Sequence, residues 1–347
     1  QRRQGYGDIH QRRKYYITMN TFNFTTVTKS VLGDLNTPVS IYLKVRDIFP
    51  ESVLLESSDF HGNENSISYI ALKPLASFGV NSYMSEMKYP DGKREEEKIT
   101  DSFTVADSMN KFLSCFRITG TEADTCGLFG YTSFDAVKYF EKVPIMECHD
   151  DMNDAPDLLY ILYRYIIVFN HFKNELTLIE LLQEGEEDHL CELESILNNR
   201  NFASYDFRPE GAESSPVTDE EYKEMVRKGI AHCMRGDVFQ IVLSRRFVQP
   251  FRGDDFKVYR VLRSINPSPY LFFDFGGFRI FGSSPETHCK IEDGRATIDP
   301  IAGTFRRTGD VVKDRELAES LLKDPKENAE HVMLVDLARN DLSRNAE

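Results

Sequence analysis

The sequence predicts an α+β fold with a mainly antiparallel sheet, and three observations support this prediction. Strand-like runs are joined by short turn signals whose residues accept the positive φ that tight hairpins need. The turn signals are Lys173-Asn174, Gly276-Gly277 and Asp293-Gly294. Long apolar runs flank the first of them, at residues 159–169 and 176–182. The helix-like segments come in blocks near the end of the chain and do not alternate strictly with strands.

The first half of the chain is predicted to be mostly strands. β-branched and aromatic residues predict strands at residues 40–45, 53–57 and 66–72. The charged run 93–98 follows a Pro-Asp-Gly turn signal and is expected to be a solvated loop. Residues 184–198 carry a leucine stripe at helical spacing, which predicts a helix.

The second half begins after a polar, proline- and glycine-containing stretch at residues 206–216, which is predicted to be a linker. Thr218 and Glu221 form a capping box that opens a helix, and Gly236 ends it. Residues 239–244 are typical of a buried strand, and helices are predicted at 314–323 and from 325 to about 339.

Composition narrows the class of protein. The 347 residues are 41% hydrophobic and 12% aromatic, as in a folded globular chain. A net charge of −14 disfavours a nucleic acid as partner. The six cysteines are scattered without a C-x-x-C pair, which indicates reduced thiols in a cytoplasmic protein. No apolar run is long enough to span a membrane, and no apolar segment typical of a signal peptide occurs near the start.

Two carboxylates near the end of the chain are candidate metal ligands. Asp324 is a good N-cap and Pro325 fits the first helical position, so Glu327 and Glu330 should share one face of a helix. Their Cβ atoms would lie roughly 5–6 Å apart. This spacing suits a hydrated Mg²⁺, which accepts one or two protein carboxylates. The alternative is that Glu327 helps to cap the helix and Glu330 faces water.

Further polar residues stand at strand ends and turns. Gln240 is an amide inside an apolar run, and its alternative is a core amide with satisfied hydrogen bonds. Glu286 follows a predicted strand, where it could also cap a turn. Gly303 and Thr304 offer backbone amides and a hydroxyl, a modest anion cradle whose alternative is a solvated glycine turn.

These residues belong to motifs whose order closely resembles the chorismate-utilising enzymes, and within them the synthase subunits (component I) of anthranilate synthases. The motifs lie at residues 54–57, 127–131 with 134–135, 236–244, 266–270, 282–286, 300–304 and 327–341. The resemblance runs from about Met19 to the last residue. It implies a sandwich-like core of antiparallel sheets with helices packed outside.

The resemblance implies a lyase that uses Mg²⁺ to convert chorismate and ammonia into anthranilate and pyruvate, the first committed step of tryptophan biosynthesis. In this chain, Glu330 would bind the metal directly and Glu327 through a metal-bound water. Glu286 would be the general acid for the departing hydroxyl. Gly303 and Thr304 would hold a substrate carboxylate.

Two positions distinguish relatives in this family. Water-adding relatives, such as isochorismate synthases, carry a lysine base where this chain has Gln240. Aminodeoxychorismate synthases commonly carry a nucleophilic lysine where this chain has Ala302. Neither residue here can act as a base or a nucleophile at neutral pH. The pair therefore favours anthranilate synthesis, and the other two activities remain the alternative.

The resemblance also implies feedback inhibition and a partner. Tryptophan would bind to Glu56, Ser57, Pro269, Tyr270 and Leu271. The chain contains no amidotransferase nucleophile motif, so ammonia would come from glutamine through a separate glutaminase subunit (component II). Neither a nucleic acid nor a membrane is expected as a partner.

The implied organisation has four parts. Residues 1–18 would be an upstream extension or a cloning remnant, 19–205 the regulatory, tryptophan-binding region, 206–216 the linker and 217–347 the chorismate-binding catalytic region. Family members continue past the segment that ends this chain, so the catalytic region is expected to be incomplete at its C-terminus and the 347-residue chain alone inactive. A non-catalytic module that binds tryptophan or a partner is then the alternative from another class.

Overall fold

Local signals start most of the helices in the computed structural model, which describes residues 21–57, 66–143, 145, 155–265, 268–306 and 308–346. Thr37, Thr104 and Thr218 each form a reciprocal capping box with the residue three positions later. The helices of the described residues are α1 (Pro38–Val45), α2 (Val105–Ser114), α3 (Leu190–Asn198), α4 (Asp219–Arg235), α5 (Phe256–Ile265), α6 (Val311–Lys323) and α7 (Pro325–Asn345). Gly236 ends α4 with φ 77°, as its sequence position predicts.

The strands form one large sheet and two small hairpins. The strands are β1 (Phe22–Leu32), β2 (Val53–Glu56), β3 (Ile67–Asn81), β4 (Met84–Lys88), β5 (Arg94–Lys98), β6 (Phe116–Thr119), β7 (Leu128–Thr132), β8 (Leu158–Asn170), β9 (Glu175–Leu182), β10 (Phe207–Pro209), β11 (Phe251–Gly253), β12 (Tyr270–Asp274), β13 (Arg279–Ser283), β14 (Lys290–Glu292) and β15 (Arg295–Thr297).

The large sheet has 11 strands in the order β13-β12-β2-β3-β8-β9-β1-β6, with β4 and β7 pairing to β3 and β8 and with β5 beside β4. Every pairing in it is antiparallel except β1 with β6. Strands β10 and β11 form one small hairpin-like pair, and β14 and β15 form the other. The predicted α+β class with a mainly antiparallel sheet is confirmed, as are all three predicted hairpins.

Aromatic packing fixes the edge of the sheet that carries β2 and β12. Phe272 of β12 is 2% exposed, and its ring contacts those of Tyr42 on α1 and of Phe256 and Tyr259 on α5. Burying each such side chain contributes about 1.5–3 kcal/mol. Helices α1, α3 and α5 therefore pack on this face of the sheet through a single apolar cluster.

The chain separates into two compact units, one ending at Ser283 and the other beginning at Ser284. The first contains the large sheet and its helices. The second contains the β14–β15 hairpin, α6 and α7, and neither helix has a buried residue. This division differs from the predicted functional boundary at 206–216, a stretch that includes β10. The functional division stays a prediction, and residues 1–18 lie outside the described residues.

The strand predicted at residues 40–45 is wrong, because these residues lie in α1. Thr37 and Ser40 cap each other's backbone, and Pro38 takes the first turn. Six of the eight residues of α1 are buried. A helix buried on most sides shows no polar face, so its sequence has no period of 3.6 to distinguish it from a strand.

The solvated loop predicted at residues 93–98 is also wrong, because Arg94–Lys98 form the edge strand β5. Exposure alternates along it, and Lys111 of α2 lies 3.0 Å from a carboxylate oxygen of Glu95 and also contacts Glu97. A charged edge strand of this kind prevents pairing with other chains.

The strand predicted at residues 239–244 is wrong as well. Within the described residues this segment has no strand partner, and Phe239 and Val242 are 93% and 87% exposed. An apolar run alone does not form a strand when no neighbouring strand offers hydrogen-bond partners to its backbone N–H and C=O groups.

Among the described residues, no helix is both long enough and apolar enough to cross a lipid bilayer. The five cysteines that lie in described segments, Cys115, Cys126, Cys191, Cys233 and Cys289, are all free thiols.

Candidate functional site

In the second compact unit, helix α7 presents a stripe of candidate residues on one face. The side chain of Asp324 accepts hydrogen bonds from the backbone amides of Lys326 (2.9 Å) and Glu327 (3.1 Å), so the predicted N-cap is confirmed. Residues at intervals of three or four along the helix share a face. The stripe consists of Glu327, Glu330, Leu334, Leu337 and Asp341.

The loop before α6 approaches this stripe at Gly303. A Cβ atom on Gly303 would overlap the carboxylate of Glu327 and would lie 3.0 Å from Cδ1 of Leu321. Only glycine lets the backbone come this close to the carboxylate. The predicted substrate-binding segment and a predicted metal ligand are thus neighbours.

A cavity of about 420 Å³ lies beside the same loop and helix. Its lining includes Glu286, Pro300 and Ile301 together with Leu334 and Asp341 of α7. The volume falls in the range of small-molecule pockets. The structure therefore gathers Glu286, the loop that leads to Ala302 and Gly303, and the α7 stripe in one region of this unit.

The metal prediction rests on Glu327 and Glu330. Both are half-buried and stand one helical turn apart. Across the described parts of the chain, no three His, Cys, Asp or Glu residues come together in a group that would hold a metal ion. Two carboxylates nevertheless match the usual coordination of Mg²⁺, which retains several water ligands and takes further ligands from the substrate. Glu327 and Glu330 are therefore the residues that would hold it.

Most of the other residues predicted to form the site are exposed to solvent. Thr304 and Glu286 are exposed, and the backbone amide of Glu286 donates to the Oγ of Ser284 at 3.1 Å. Ala302 is half-buried. Gln240 lies in the first compact unit and is exposed. The roles predicted for all of these residues stay predictions.

Sequence reasoning missed three polar residues that line the cavity: His288, Asp299 and Asp341. Asp341 had a signal, because it stands fourteen residues after Glu327 and so returns to the same helical face. His288 and Asp299 occupy the β14–β15 hairpin region, where the hairpin was predicted but the direction of the side chains was not.

In the first compact unit, the two segments predicted to bind tryptophan lie side by side. Strands β2 and β12 are antiparallel neighbours, with Tyr270 opposite Glu56 and Leu271 opposite Leu55. Ser57 follows β2 and Pro269 precedes β12. Asn266 and Pro267, the start of the second motif, lie outside the described residues.

Glu56 is the most buried member of this group, at 3% exposure. The hydroxyl of Tyr259 donates a hydrogen bond to its Oε2. The Nε of Arg263 lies 2.8 Å from the same oxygen. The Nε–H is not directed at the oxygen, so this contact is an ion pair and not a hydrogen bond. Burial raises the pKa of Glu56, and the Tyr259 hydrogen bond and Arg263 partly offset this rise.

Three further contacts involve residues of this region. The hydroxyl of Tyr270 donates to the backbone carbonyl of Arg263 at 3.0 Å, and the guanidinium of Arg263 lies 5.8 Å from the centre of the Tyr270 ring. The amide of Ser57 donates to the Oγ of Ser68 at 3.2 Å. We call Glu56, Ser57, Tyr259, Arg263 and Tyr270 the effector cluster.

Tyr259 and Arg263 were also missed from the sequence. They stand four residues apart on α5, so they share one helical face. The sequence signal was this spacing just ahead of the 266–270 motif, but it does not reveal that the face meets β2.

Comparison with known proteins identifies the family of the chain. The family model for chorismate binding enzymes matches residues 63–347. Anthranilate synthase component 1 of Pseudomonas putida is 33% identical over 93% of this chain and 68% of that protein. The protein of the same name from Thermus thermophilus is 34% identical over 91% of this chain and 68% of that protein.

Solved structures support the fold. Anthranilate synthase component I of Streptococcus pneumoniae TIGR4 superposes with a TM-score of 0.58 at 27% identity, over 80% of this chain and 61% of that chain. The menaquinone-specific isochorismate synthase of Escherichia coli gives a TM-score of 0.55 over 93% of this chain and 65% of that chain. Its identity of 12% supports the fold alone.

The chain thus spans about two thirds of the length of the relatives that it matches. The match of the family model covers most of the chain and includes every candidate residue around Gly303 and Glu327. On these grounds, the chain belongs to the chorismate binding enzyme family.

Proposed function

We propose that the gene product containing this chain is the synthase subunit of an anthranilate synthase, which converts chorismate and ammonia into anthranilate and pyruvate with Mg²⁺. The observation that carries this proposal is the approach of Gly303 to the Glu327 carboxylate, beside a cavity that Glu286 lines. The names of the relatives at 33–34% identity support the choice of reaction.

The residues of the second unit have separate tasks in this proposal. The backbone amide of Gly303 and the hydroxyl of Thr304 donate hydrogen bonds to a substrate carboxylate. When ammonia adds to the ring, the hydroxyl leaves as water with a proton from Glu286. The ammonium group formed on the ring returns one proton to the Glu286 carboxylate. In the second step the ether C–O bond breaks, the ring loses the C–H proton at the carbon that bears the new amino group, and the departing enolpyruvate takes up a proton on its methylene carbon. The products are pyruvate and an aromatic ring.

Glu327 and Glu330 would hold Mg²⁺ in this site, and the ion would supply Lewis-acid polarisation of the ring carboxylate. The carboxylate of Glu327 lies directly beside the backbone of Gly303. This close approach leaves no room for another side chain between the loop and the carboxylate.

Two residues set the choice of nucleophile. Gln240 cannot deprotonate water at neutral pH, and Ala302 cannot attack the ring. Ammonia therefore remains as the nucleophile. The ammonia would come from a glutaminase subunit, and the complex would act in the cytoplasm.

The effector cluster is the proposed binding site for tryptophan as feedback inhibitor. Pro269 and Leu271 flank Tyr270 and would pack against the indole ring. This assignment is supported by the pairing of Tyr270 with Glu56 across β2 and β12.

The test uses the gene product at its natural length and, in parallel, the 347-residue chain. Each sample receives chorismate, Mg²⁺ and ammonium, and anthranilate is followed by fluorescence. The natural-length product should form anthranilate and equimolar pyruvate and should stop when EDTA is added. Formation of isochorismate or aminodeoxychorismate in place of anthranilate would contradict the proposal.

A second candidate is a non-catalytic module that binds tryptophan or a partner. It is favoured by one observation: the effector cluster is buried and paired, while Glu286, Thr304 and Gln240 are exposed. Calorimetry separates the two functions. Tryptophan binding by the natural-length product without Mg²⁺-dependent chorismate binding would support the module.

A further inference from the structure

We propose that a second cavity, in the first compact unit, binds a small organic cation, a primary amine that also carries a hydrogen-bond acceptor. The cavity measures about 400 Å³ and lies where the end of α1 meets the start of α5 and the β12–β13 hairpin. This volume falls in the range of small-molecule pockets. The inference is independent of the proposed function, because the cavity shares no residue with the effector cluster or with the site around Gly303.

The charges of the lining favour a cation. Both terminal nitrogens of Arg46 donate to Asp254, at 3.0 and 2.7 Å. Arg279 donates to Asp274 at 2.9 Å and to Asp255 at 3.2 Å. Carboxylates thus already neutralise both guanidinium groups, and negative charge is left in excess, which a bound cation would balance. The charged residues of the lining are four aspartates and two arginines: Asp47, Asp254, Asp255, Asp274, Arg46 and Arg279.

Two of these aspartates have room for further donors. Within the described part of the chain, both side-chain oxygens of Asp255 share one nitrogen of Arg279, at 3.2 Å, although the side chain is only 13% exposed. Asp47 accepts a hydrogen bond from the hydroxyl of Tyr205 at 3.4 Å and lies 3.8 Å from the Nε of Arg46. A carboxylate offers about four lone-pair sites, so an ammonium group can donate to either residue.

The geometry favours an organic cation over a bare metal ion. Across the described residues, no three His, Cys, Asp or Glu side chains converge closely enough to hold a metal. The rings of Tyr42, Tyr205 and Phe272 line the same cavity and provide apolar walls for the carbon skeleton of a ligand. Burial raises the pKa of Tyr42, so its phenol stays neutral and does not alter the charge of the lining.

A buried donor of the cavity wall indicates that the ligand also carries an acceptor. The side chain of Arg46 is only 10% exposed, and its Nε is buried without a hydrogen-bond partner among the described residues. The guanidinium lies 5.8 Å from the centre of the Tyr205 ring and 5.1 Å from that of Phe256, which holds it in place. Because a buried N–H without an acceptor is destabilising, a hydroxyl group on the ligand would stabilise this arrangement.

The experiment uses tyramine as the probe, because it combines an ammonium group, an aromatic ring and a hydroxyl group. Titration calorimetry on the natural-length gene product compares it with three ligands of similar size. In phloretate a carboxylate replaces the ammonium group, p-ethylphenol lacks the charge, and phenethylamine lacks the hydroxyl group.

Three variants locate the site. Asp255→Asn and Asp47→Asn each remove one negative charge from the cavity. Asp206→Asn is the matched control, because Asp206 follows Tyr205 directly and pairs with Lys257 at 3.1 Å but does not line the cavity. The side chain of Asp47 is 48% exposed, so its variant should fold normally and decides the test if Asp255→Asn is unstable.

We expect tyramine to bind about tenfold or more tighter than p-ethylphenol, because only tyramine forms a charge-assisted hydrogen bond. Phenethylamine should bind more weakly than tyramine, and phloretate should not bind. Asp255→Asn should weaken tyramine binding about tenfold or more. Asp47→Asn should weaken it less, since solvent screens an exposed charge. Asp206→Asn should leave it unchanged.

Four outcomes would overturn the inference. Tyramine that does not bind at millimolar concentration, or binds no tighter than p-ethylphenol, would show that the cavity does not recognise a cation. Equal affinities for tyramine and phenethylamine would contradict the need for an acceptor beside Arg46. Equal tyramine affinities in Asp47→Asn and Asp206→Asn, with Asp255→Asn unchanged or unfolded, would place any binding outside the cavity. The measurement concerns binding alone, so each of these results leaves the catalytic proposal standing.

Discussion

The effector cluster and the residues around Gly303 and Glu327 differ in how completely the protein organises them. In the effector cluster, Glu56 is 3% exposed and has both a tyrosine hydroxyl and a guanidinium on one oxygen. Around Gly303, the backbone meets Glu327 closely, but Thr304 and Glu286 face solvent. The first group is preorganised by the packed sheet, and the second depends on a loop and one helix face.

This difference has a physical origin. Strands β2 and β12 pair residue by residue in the interior of an 11-stranded sheet. Glu56 pairs with Tyr270 of β12, and the preceding residue, Leu55, also pairs with β3 on the other side, so the position of Glu56 is fixed by the sheet. Helix α7 has no buried residue, and its stripe is ordered by helical geometry and by its cap. Substitutions should therefore affect stability in the first region and chemistry in the second.

The largest expected effect is on catalysis. Replacing Glu286 with Gln should lower kcat of the natural-length product by about 10²–10⁴-fold, because it removes the proposed general acid. The free energy of unfolding should change by less than about 0.5 kcal/mol, since the side chain is exposed. Steady-state kinetics measure kcat, and urea unfolding measures the free energy of unfolding. Glu292→Gln is the matched control in the same unit, and equal rates in the two variants would contradict the role of Glu286.

The next largest expected effect is on stability. It tests the difference between the packed sheet around β12 and the exposed helix α7. Phe272→Ala should cost about 3–5 kcal/mol, because it removes a buried ring that contacts four others. Val332→Ala on α7, where the side chain is 67% exposed, should cost less than about 0.5 kcal/mol. Chemical unfolding followed by circular dichroism tests this pair. Similar losses of unfolding free energy in the two variants would contradict the proposed difference between the two regions.

A smaller effect is expected from Gly303→Ala. The added methyl group overlaps the Glu327 carboxylate and must displace it. A displacement of about 1 Å near the reacting atoms can lower the rate by about 10²-fold. The rate should recover partly at high Mg²⁺, if Glu327 helps to hold the ion. Gly277→Ala, which meets no atom within 4 Å, is the control. A Gly303→Ala enzyme with an unchanged Mg²⁺ requirement would argue against the role of this contact.

The smallest effect concerns pH. Burial raises the pKa of Glu56 above its unfolded value near 4.5, so the native state holds this proton more tightly than the unfolded chain does. The contribution of Glu56 to stability therefore falls as pH rises from about 4.5 towards the raised native pKa. Glu56→Gln removes this dependence, so its stability relative to the unmodified protein should increase with pH in that window. Thermal unfolding between pH 4 and 7 measures the difference, and parallel curves would refute it.

The elements that the sequence predicted correctly are those with local signals. The hairpin turns at Lys173-Asn174, Gly276-Gly277 and Asp293-Gly294 and the cap at Asp324 each depend on a few neighbouring residues. The wrong predictions at residues 40–45, 93–98 and 239–244 depended on tertiary context. Burial removed the helical period of α1, and a neighbouring strand and Lys111 turned a charged run into β5.

The candidate site follows the same rule. Helical spacing was enough to place Glu327 and Glu330 on one face, and the family resemblance assigned Glu56 and Tyr270 to one predicted pocket without predicting that their strands pair. The contact of Arg263 with Glu56 was not predictable, because it depends on the angle at which α5 crosses the sheet. His288 and Asp299 were missed for a similar reason, since no local pattern shows which side chains of a hairpin face a cavity.

The register of the β12–β13 hairpin gives the two sites a direct connection along the chain. Tyr270 faces Glu56 on one side of β12 and Ser283 on the other. Glu286 follows Ser283 after only three peptide bonds. A change in the pairing of β12 with β2 therefore also acts on β13, the strand whose last residue, Ser283, ends the first compact unit.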